Sequence, residues 1–344
     1  MKTRNQYTLV HLSLLALGLR KGKITLKKLL NVAYCYFAYT FQLKKSGRSP
    51  YMISIELWNE CNANCVFCRD KKGVIYDYNP GGTGSGIEKG KMPAETAMDI
   101  IRQLKDYLVV AVLYTNGEPL IYQDLARVIK FAEDNGVVSV IASNGILLDE
   151  NRSRAILEAG LDFIKIQLSG FTQDVYSVQI RSGNVERLKE NIRNFARMKR
   201  EGGYKTLILV DYILYNYNRH QVPMVRQFCK ENGVMLNFRP GNPIHGLEDK
   251  EPALSTEPLP LKMSCDWLWK GMQINWNGDV LQCCEAVVWS KPEVYEKFEA
   301  GKSRLMDVWN GPESMAMRET MSGKGRGAIP MCTKCLRKGI SFKW

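Results

Sequence analysis

The sequence predicts an α/β fold, a partial (β/α)6 TIM-type barrel followed by a small α+β module, and three observations predict it. Short β-rich runs alternate with helical patterns from residue 52 to about residue 240, which implies parallel strands joined by helical crossovers. The helical runs keep a 3.6-residue apolar period, so that Ala94, Ala97, Ile101, Leu104 and Leu108 share one face. Beyond Pro240 the alternation stops, and a Pro-containing polar connection over residues 241–260 leads to a segment of different character. A chain of 344 residues accommodates three parts: a basic, apolar helical extension (1–50), the barrel core (51–240), and the linker with its module (241–344).

The extension carries two apolar runs, 8–19 and 29–41, separated by a basic stretch over 20–28. Each is shorter than the roughly 18 residues of a transmembrane helix, and the basic residues after Leu19 argue against a signal peptide. Two readings stay open: helices that cap the barrel, or an interfacial helix attracted to anionic lipid. Six strands are expected over 52–58, 108–114, 137–142, 163–168, 207–214 and 235–238, with helices near 120–135, 150–159, 185–201 and 221–232. In the module, Asn277-Gly278 between two short β runs predicts a type I′ hairpin. A helix is expected from Pro312, a residue suited to the first helical position, to Met321. Gly81 to Gly86 opens no helix, so it reads as a loop over the barrel mouth rather than a phosphate loop.

Composition narrows the function. With 45% hydrophobic and 24% charged residues the chain is globular rather than disordered. The net charge of +13 sits mostly in residues 1–55, which hold ten Lys and Arg and no acid; the remainder has 38 basic residues against 35 acidic. That asymmetry gives no general nucleic-acid-binding surface. Ten cysteines are too few for a disulfide-stapled domain of this length, and their short spacings read as metal ligation in a reducing, cytoplasmic compartment. Cys35 and Cys229 read as buried apolar residues, and His11, His220 and His245 share no ligand spacing.

Cys61, Cys65 and Cys68 form C-x3-C-x2-C directly after the first predicted strand, with Phe67 before the last cysteine. A four-iron cluster normally takes four thiolates, so three leave one iron open to an external ligand. This loop resembles the signature of the radical S-adenosylmethionine (SAM) superfamily. The resemblance implies a [4Fe–4S] cluster whose open iron is chelated by the amino and carboxyl groups of SAM, with reductive cleavage to a 5′-deoxyadenosyl radical. It also implies further SAM contacts. Gly117 and Glu118, after the second strand, match the last two residues of a Gly-Gly-Glu motif, Asn116 replacing the first glycine; the acid would hold the SAM ammonium. Asn144 after the third strand, Ser169 after the fourth and Arg181 in a downstream Arg-x-Gly complete the expected set, at the carboxyl ends of barrel strands where such active sites collect.

Cys265, Gly278 with Cys283 in the spacing G-x4-C, and the pair Cys332 and Cys335 resemble a reduced SPASM or twitch extension. That implies one auxiliary [4Fe–4S] cluster on Cys265, Cys283, Cys332 and Cys335, with a structural zinc on the same thiols as the alternative. Cys284, on the opposite face of its strand from Cys283, is either a core residue or a thiol that donates hydrogen to a substrate radical.

The resemblance thus implies a radical SAM oxidoreductase or epimerase. The expected substrate is a polar small molecule, such as a sugar, aminocyclitol or antibiotic intermediate, and the expected electron donor is of flavodoxin or ferredoxin type. A ribosomally made peptide is the runner-up substrate, residues 1–50 being too short and apolar for a winged-helix leader-binding domain; a lipid-linked substrate at a membrane surface and an iron–sulfur or zinc scaffold are the other readings.

Overall fold

The computed structural model describes residues 13–69, 74–75, 87–240, 264–281, 283 and 294–333. Its strands are β1 (Met52–Ile55), β2 (Val110–Val112), β3 (Val138–Ser143), β4 (Phe163–Leu168), β5 (Leu207–Leu214), β6 (Met235–Pro240), β7 (Gly271–Ile274), β8 (Asp279–Leu281) and β9 (Val294–Lys297). They form one sheet in the order β6-β5-β4-β3-β2-β1-β7-β8-β9. The first six pair in parallel, as the alternation predicts, and β7 pairs in parallel with β1. The module's hairpin therefore continues the barrel's own sheet.

The helices are α1 (Leu26–Thr40), α2 (Ala94–Leu104), α3 (Leu125–Asp134), α4 (Glu150–Glu158), α5 (Gln173–Ser177), α6 (Val185–Glu201), α7 (Val222–Asn232), α8 (Trp267–Lys270), α9 (Leu305–Trp309), α10 (Pro312–Lys324) and α11 (Pro330–Thr333). A helical stretch over residues 13–20 precedes α1. Side-chain caps set the starts of α4 and α6, where Asp149 and Asn184 accept from backbone amides three residues on. The helix expected over 120–135 is split, because Pro119 opens a short 3-10 turn capped by Glu118 before α3 begins.

Side chains along each strand alternate between two apolar layers. Outward residues such as Ile53, Ala111, Ile141, Ile164 and Val210 pack beneath the helices. Inward residues at the amino ends of the strands, Met52, Val110, Val138, Phe163 and Leu209, form a second cluster that Leu14 and Cys35 of the extension complete. The extension thus closes the barrel floor. Lys21 and Lys23 ion-pair with Asp162 and Glu133 there, and Lys28 donates to the Gly136 carbonyl.

The hairpin turn differs from the expected type I′. Asn277 is absent from the positive-φ residues, Gly278 has φ +90°, and the Gly278 amide donates to the Asn275 carbonyl. This is a type I turn followed by a left-handed glycine, a three-residue loop. The strands close one residue earlier than a two-residue loop requires, the Asn275 amide donating to the Asp279 carbonyl. Phe298 fixes residue 278 as glycine: the Phe298 amide donates to the Gly278 carbonyl at 2.7 Å, and a Cβ at Gly278 would sit 2.5 Å from the Phe298 carbonyl oxygen.

Candidate active site

The cysteine loop leaves β1 at the barrel mouth and is fixed by backbone contacts. Ser182 donates to the Ala63 carbonyl and Val66 to that of Gln179, while Cys68 and Arg69 both donate to Cys65. Asn64 takes a left-handed φ of 47°, which an Asx side chain tolerates, and so turns the chain between Cys61 and Cys65. Cys65 is buried, Cys61 half-buried and Cys68 exposed.

Burial and then the neighbouring Cys68 and Cys61 push the Cys65 thiol well above its ordinary value, while Arg69 and Arg181 pull against them. Burial likewise raises Cys61. Crowded thiols of this kind lose their protons when bound metal supplies the opposing charge. No three His, Cys, Asp or Glu side chains among the described residues converge to hold a single ion, and a cluster offering one iron to each thiolate does not require such convergence.

Gly117 and Glu118 build the wall of this loop. The Glu118 amide donates to the Glu60 carbonyl at 2.8 Å, and a Cβ on Gly117 would stand 1.9 Å from the Trp58 carbonyl oxygen. Only glycine permits that approach. The Glu118 carboxylate is buried and accepts from the Ser143 hydroxyl (2.8 Å), the Asn144 amide (2.8 Å) and the Leu120 amide (3.1 Å). Burial nevertheless raises it to about 7. These donors account for most of the carboxylate's acceptor capacity, so Glu118 ties the loops after β2 and β3 together.

Asn144 reaches the cysteines directly, its amide donating to Cys61 Sγ at 3.6 Å and to Asn62 Oδ1 at 2.8 Å. Ser169 is buried at the end of β4, its carbonyl held by Asn218 and its hydroxyl by Gln167. Arg181 donates to the Arg69 carbonyl at 2.8 Å, and Phe67 packs half-buried against the core. The structure therefore gathers Phe67, Gly117, Glu118, Asn144 and Arg181 around Cys61, Cys65 and Cys68. Three residues missed in the sequence join them. Buried Arg69 donates to the Asn59 carbonyl at 2.7 Å, Asn59 clamps Glu88 and Gly90, and the buried Tyr176 hydroxyl, with no hydrogen-bond partner among the described residues, lies within the electrostatic reach of Cys65 and Cys61. A charged residue directly after Cys68 was the one signal available.

In the module, Cys265, Cys283 and Cys332 are all half-buried. Cys265 and Cys283 flank the floor cluster that includes Trp267, and Cys265 and Cys332 flank a neighbouring cluster of Leu268, Trp269, Met321 and Ile329. The indole N–H of Trp267 is buried with no acceptor among the described residues, a single donor of the kind that suits a sulfur-rich cluster. Cys284 and Cys335 lie outside the described residues, as do Gly81 to Gly86, His11 and His245.

Residues 55–229 match the family model of the radical SAM superfamily. The chain belongs to that superfamily. Residues 265–336 match the SPASM iron–sulfur cluster-binding domain. A radical SAM enzyme with a SPASM domain carries a [4Fe–4S] cluster that works with SAM, and an auxiliary iron–sulfur cluster. Among curated relatives, a probable GTP 3′,8-cyclase of Methanothermobacter thermautotrophicus is 27% identical over 195 residues, 56% of this chain and 58% of that protein. A 7,8-dihydro-6-hydroxymethylpterin dimethyltransferase of Methanocaldococcus jannaschii is 27% identical over 204 residues, 55% of this chain and 36% of the relative. The chain thus spans little more than half the length of the cyclase relatives it matches. Among solved structures, Streptococcus suis SuiB bound to its precursor peptide SuiA aligns with a TM-score of 0.60 at 14% identity, covering 84% of this chain and 71% of that one. BtrN in complex with AdoMet and 2-DOIA aligns with a TM-score of 0.53 at 18% identity, covering 84% and 93%. These likenesses establish the fold.

Proposed function

We propose that this radical SAM enzyme abstracts hydrogen from an unactivated C–H bond of a polar small molecule, of sugar, aminocyclitol or antibiotic-intermediate type, leading to dehydrogenation or epimerisation. The observation that carries the reading is the change of character along the barrel's inner face. Below, the inward positions are Met52, Phe163 and Leu209; one or two inward positions further along the same strands, towards the mouth, they are Ser54, Lys165, Gln167 and Asp211, joined by Asn237 and Arg239 of β6 and Gln273 of β7.

These polar groups are organised. Asp211 accepts from Arg239 Nε and Asn237 Nδ2, each at 2.7 Å. Burial opposes ionisation of Asp211, but Arg239 and Lys165 hold its carboxyl below the usual range. Lys165 also stands over the Tyr114 ring, 5.8 Å from its centroid, and Thr115 joins Gln273 to Ser54. A floor of fixed donors and acceptors suits a ligand dense in hydroxyl and amino groups.

When bound, the cluster on Cys61, Cys65 and Cys68 with SAM supplies the 5′-deoxyadenosyl radical, fed by an electron from a flavodoxin- or ferredoxin-type donor. The chain's own residues do the rest. Asn144, Arg69 and Arg181 hold the cysteine loop, and the Asp211–Arg239–Asn237 group orients the substrate above the packed apolar floor. Incubation of the reconstituted enzyme with deuterated sugars and aminocyclitols tests this. Deuterium in the recovered 5′-deoxyadenosine, lost in Asp211→Asn, is the expected result; transfer from a peptide alone would overturn it.

A further inference from the structure

We propose that the outward face of α1 docks the protein on an anionic lipid bilayer, with the barrel mouth turned away from the membrane. An ordinary surface helix buries its apolar stripe, and α1 does the opposite. Its buried positions are Lys28, Asn31, Cys35 and Ala38. Its exposed face carries Leu26 (71% exposed), Leu30 (63%) and Tyr36 (71%), continued by Phe41 (62%). Eight of the ten exposed large hydrophobic residues among those described fall between Leu19 and Phe41. Single exposed apolar residues are ordinary, whereas a contiguous set marks a contact surface.

The inversion is built in. Lys21 and Lys23 lock the chain entering α1 onto Asp162 and Glu133. Thr25 caps the helix, Lys28 holds the Gly136 carbonyl, and Asn31 donates to the Ser49 carbonyl at 2.9 Å. The helix cannot roll its leucines and aromatics inward without breaking these contacts.

Charge selects the occupant. Residues 1–55 hold ten Lys and Arg and no acid. Arg20, before the apolar stripe, and Lys45 and Arg48, after it, are exposed and have no ion-pair partner among the described residues. An apolar stripe with tyrosines and phenylalanines, flanked by cations, is the pattern of a helix lying in the interface of an anionic membrane. No described helix is long and apolar enough to cross one. The stripe stands proud on a single helix rather than lining a groove, which suits a planar surface.

The geometry also fixes orientation. The buried side of α1 meets Gly136 and Ser49, which precede β3 and β1, whereas Cys61, Cys65 and Cys68 follow β1 at the opposite end of the sheet. A strand of the length of β4 separates the two ends by ~20 Å. Docking by α1 therefore leaves the mouth open to water, and the inference stands independently of which substrate enters there.

Sedimentation of the full-length reconstituted protein with sucrose-loaded vesicles tests it, comparing phosphatidylcholine alone with phosphatidylcholine mixed with phosphatidylglycerol. Binding at least about tenfold tighter to the anionic vesicles is expected, weakening as salt rises from about 0.1 to about 0.5 M. A Leu30→Glu/Phe37→Glu variant changes two exposed side chains, so its circular dichroism and iron content stay those of the wild type while its vesicle binding falls by more than about tenfold. Equal pelleting with and without vesicles would overturn the proposal. So would a wild type that binds no vesicle but dimerises by light scattering and becomes monomeric in the double variant, which would make this face a contact between two copies of the chain.

Discussion

A single methyl group at Gly117 tests whether the wall after β2 shapes the cysteine loop. The Cβ of Gly117→Ala would lie 1.9 Å from the Trp58 carbonyl oxygen and 2.8 Å from that of Glu60. Both are backbone atoms, so no rotamer change relieves the overlap, and the strand-end loop carrying Trp58 to Cys61 must retreat by more than 1 Å to restore ordinary contact. The Glu118 amide to Glu60 carbonyl bond, now 2.8 Å, breaks in that movement. One buried backbone hydrogen bond and the accompanying strain cost ~2–4 kcal/mol. Because Glu60 leads directly into Cys61, that cost appears as lost cluster affinity at the barrel mouth. Iron per chain in the anaerobically reconstituted variant should fall from about eight towards the auxiliary site's share of about four. Formation of 5′-deoxyadenosine from SAM should fall with it. A variant with wild-type iron content and turnover would refute the assignment of Gly117 to the cluster wall.

Two further perturbations follow from buried charges. Asp162→Asn leaves Lys21 and Lys23 with Glu133 as their remaining acidic partner; loss of a buried ion-pair partner costs ~3 kcal/mol, so urea unfolding should shift accordingly and protease should cut residues 13–40 earlier. Burial raises Glu56 to about 7, with one carboxyl oxygen lacking a partner among the described residues. A carboxyl whose folded pKa is raised contributes stability below about 4.5 and loses it as pH rises through about 7. Glu56→Gln should therefore flatten the decline in urea midpoint between about pH 4.5 and 7 and stabilise the protein at pH 8 by up to ~3 kcal/mol, the slope from Glu118 remaining. An unchanged pH profile would show that Glu56 does not titrate in this range.

The barrel was legible because each strand needs a continuous apolar run and each helix a one-sided period; Val185–Glu201 matches the expected 185–201. The cysteine loop was legible because ligand chemistry fixes both residue type and spacing. Other features depend on contacts distant in sequence. The parallel pairing of β7 with β1 joins residues more than 200 positions apart, and no local pattern encodes it. The three-residue turn at Asn277-Gly278 goes with the pairing of Asn275 with Asp279 and the packing of Gly278 on Phe298, and the placement of Arg69 against Asn59 with a loop fold that spacing does not reveal. The choice between a capping and an interfacial α1 stayed open in the sequence for a simpler reason. Periodicity locates an apolar stripe without saying which side of the helix the ion pairs of Lys21 and Lys23 turn towards the barrel.

The two-cluster radical chemistry is tested most directly by measuring iron, sulfide and 5′-deoxyadenosine formation from SAM under dithionite, for the anaerobically reconstituted wild type and a Cys61→Ala/Cys65→Ala/Cys68→Ala variant. About eight irons per wild-type chain, about four in the variant, and deoxyadenosine from the wild type alone are expected. Wild-type protein that binds only about four irons, or that forms no deoxyadenosine, would contradict that chemistry.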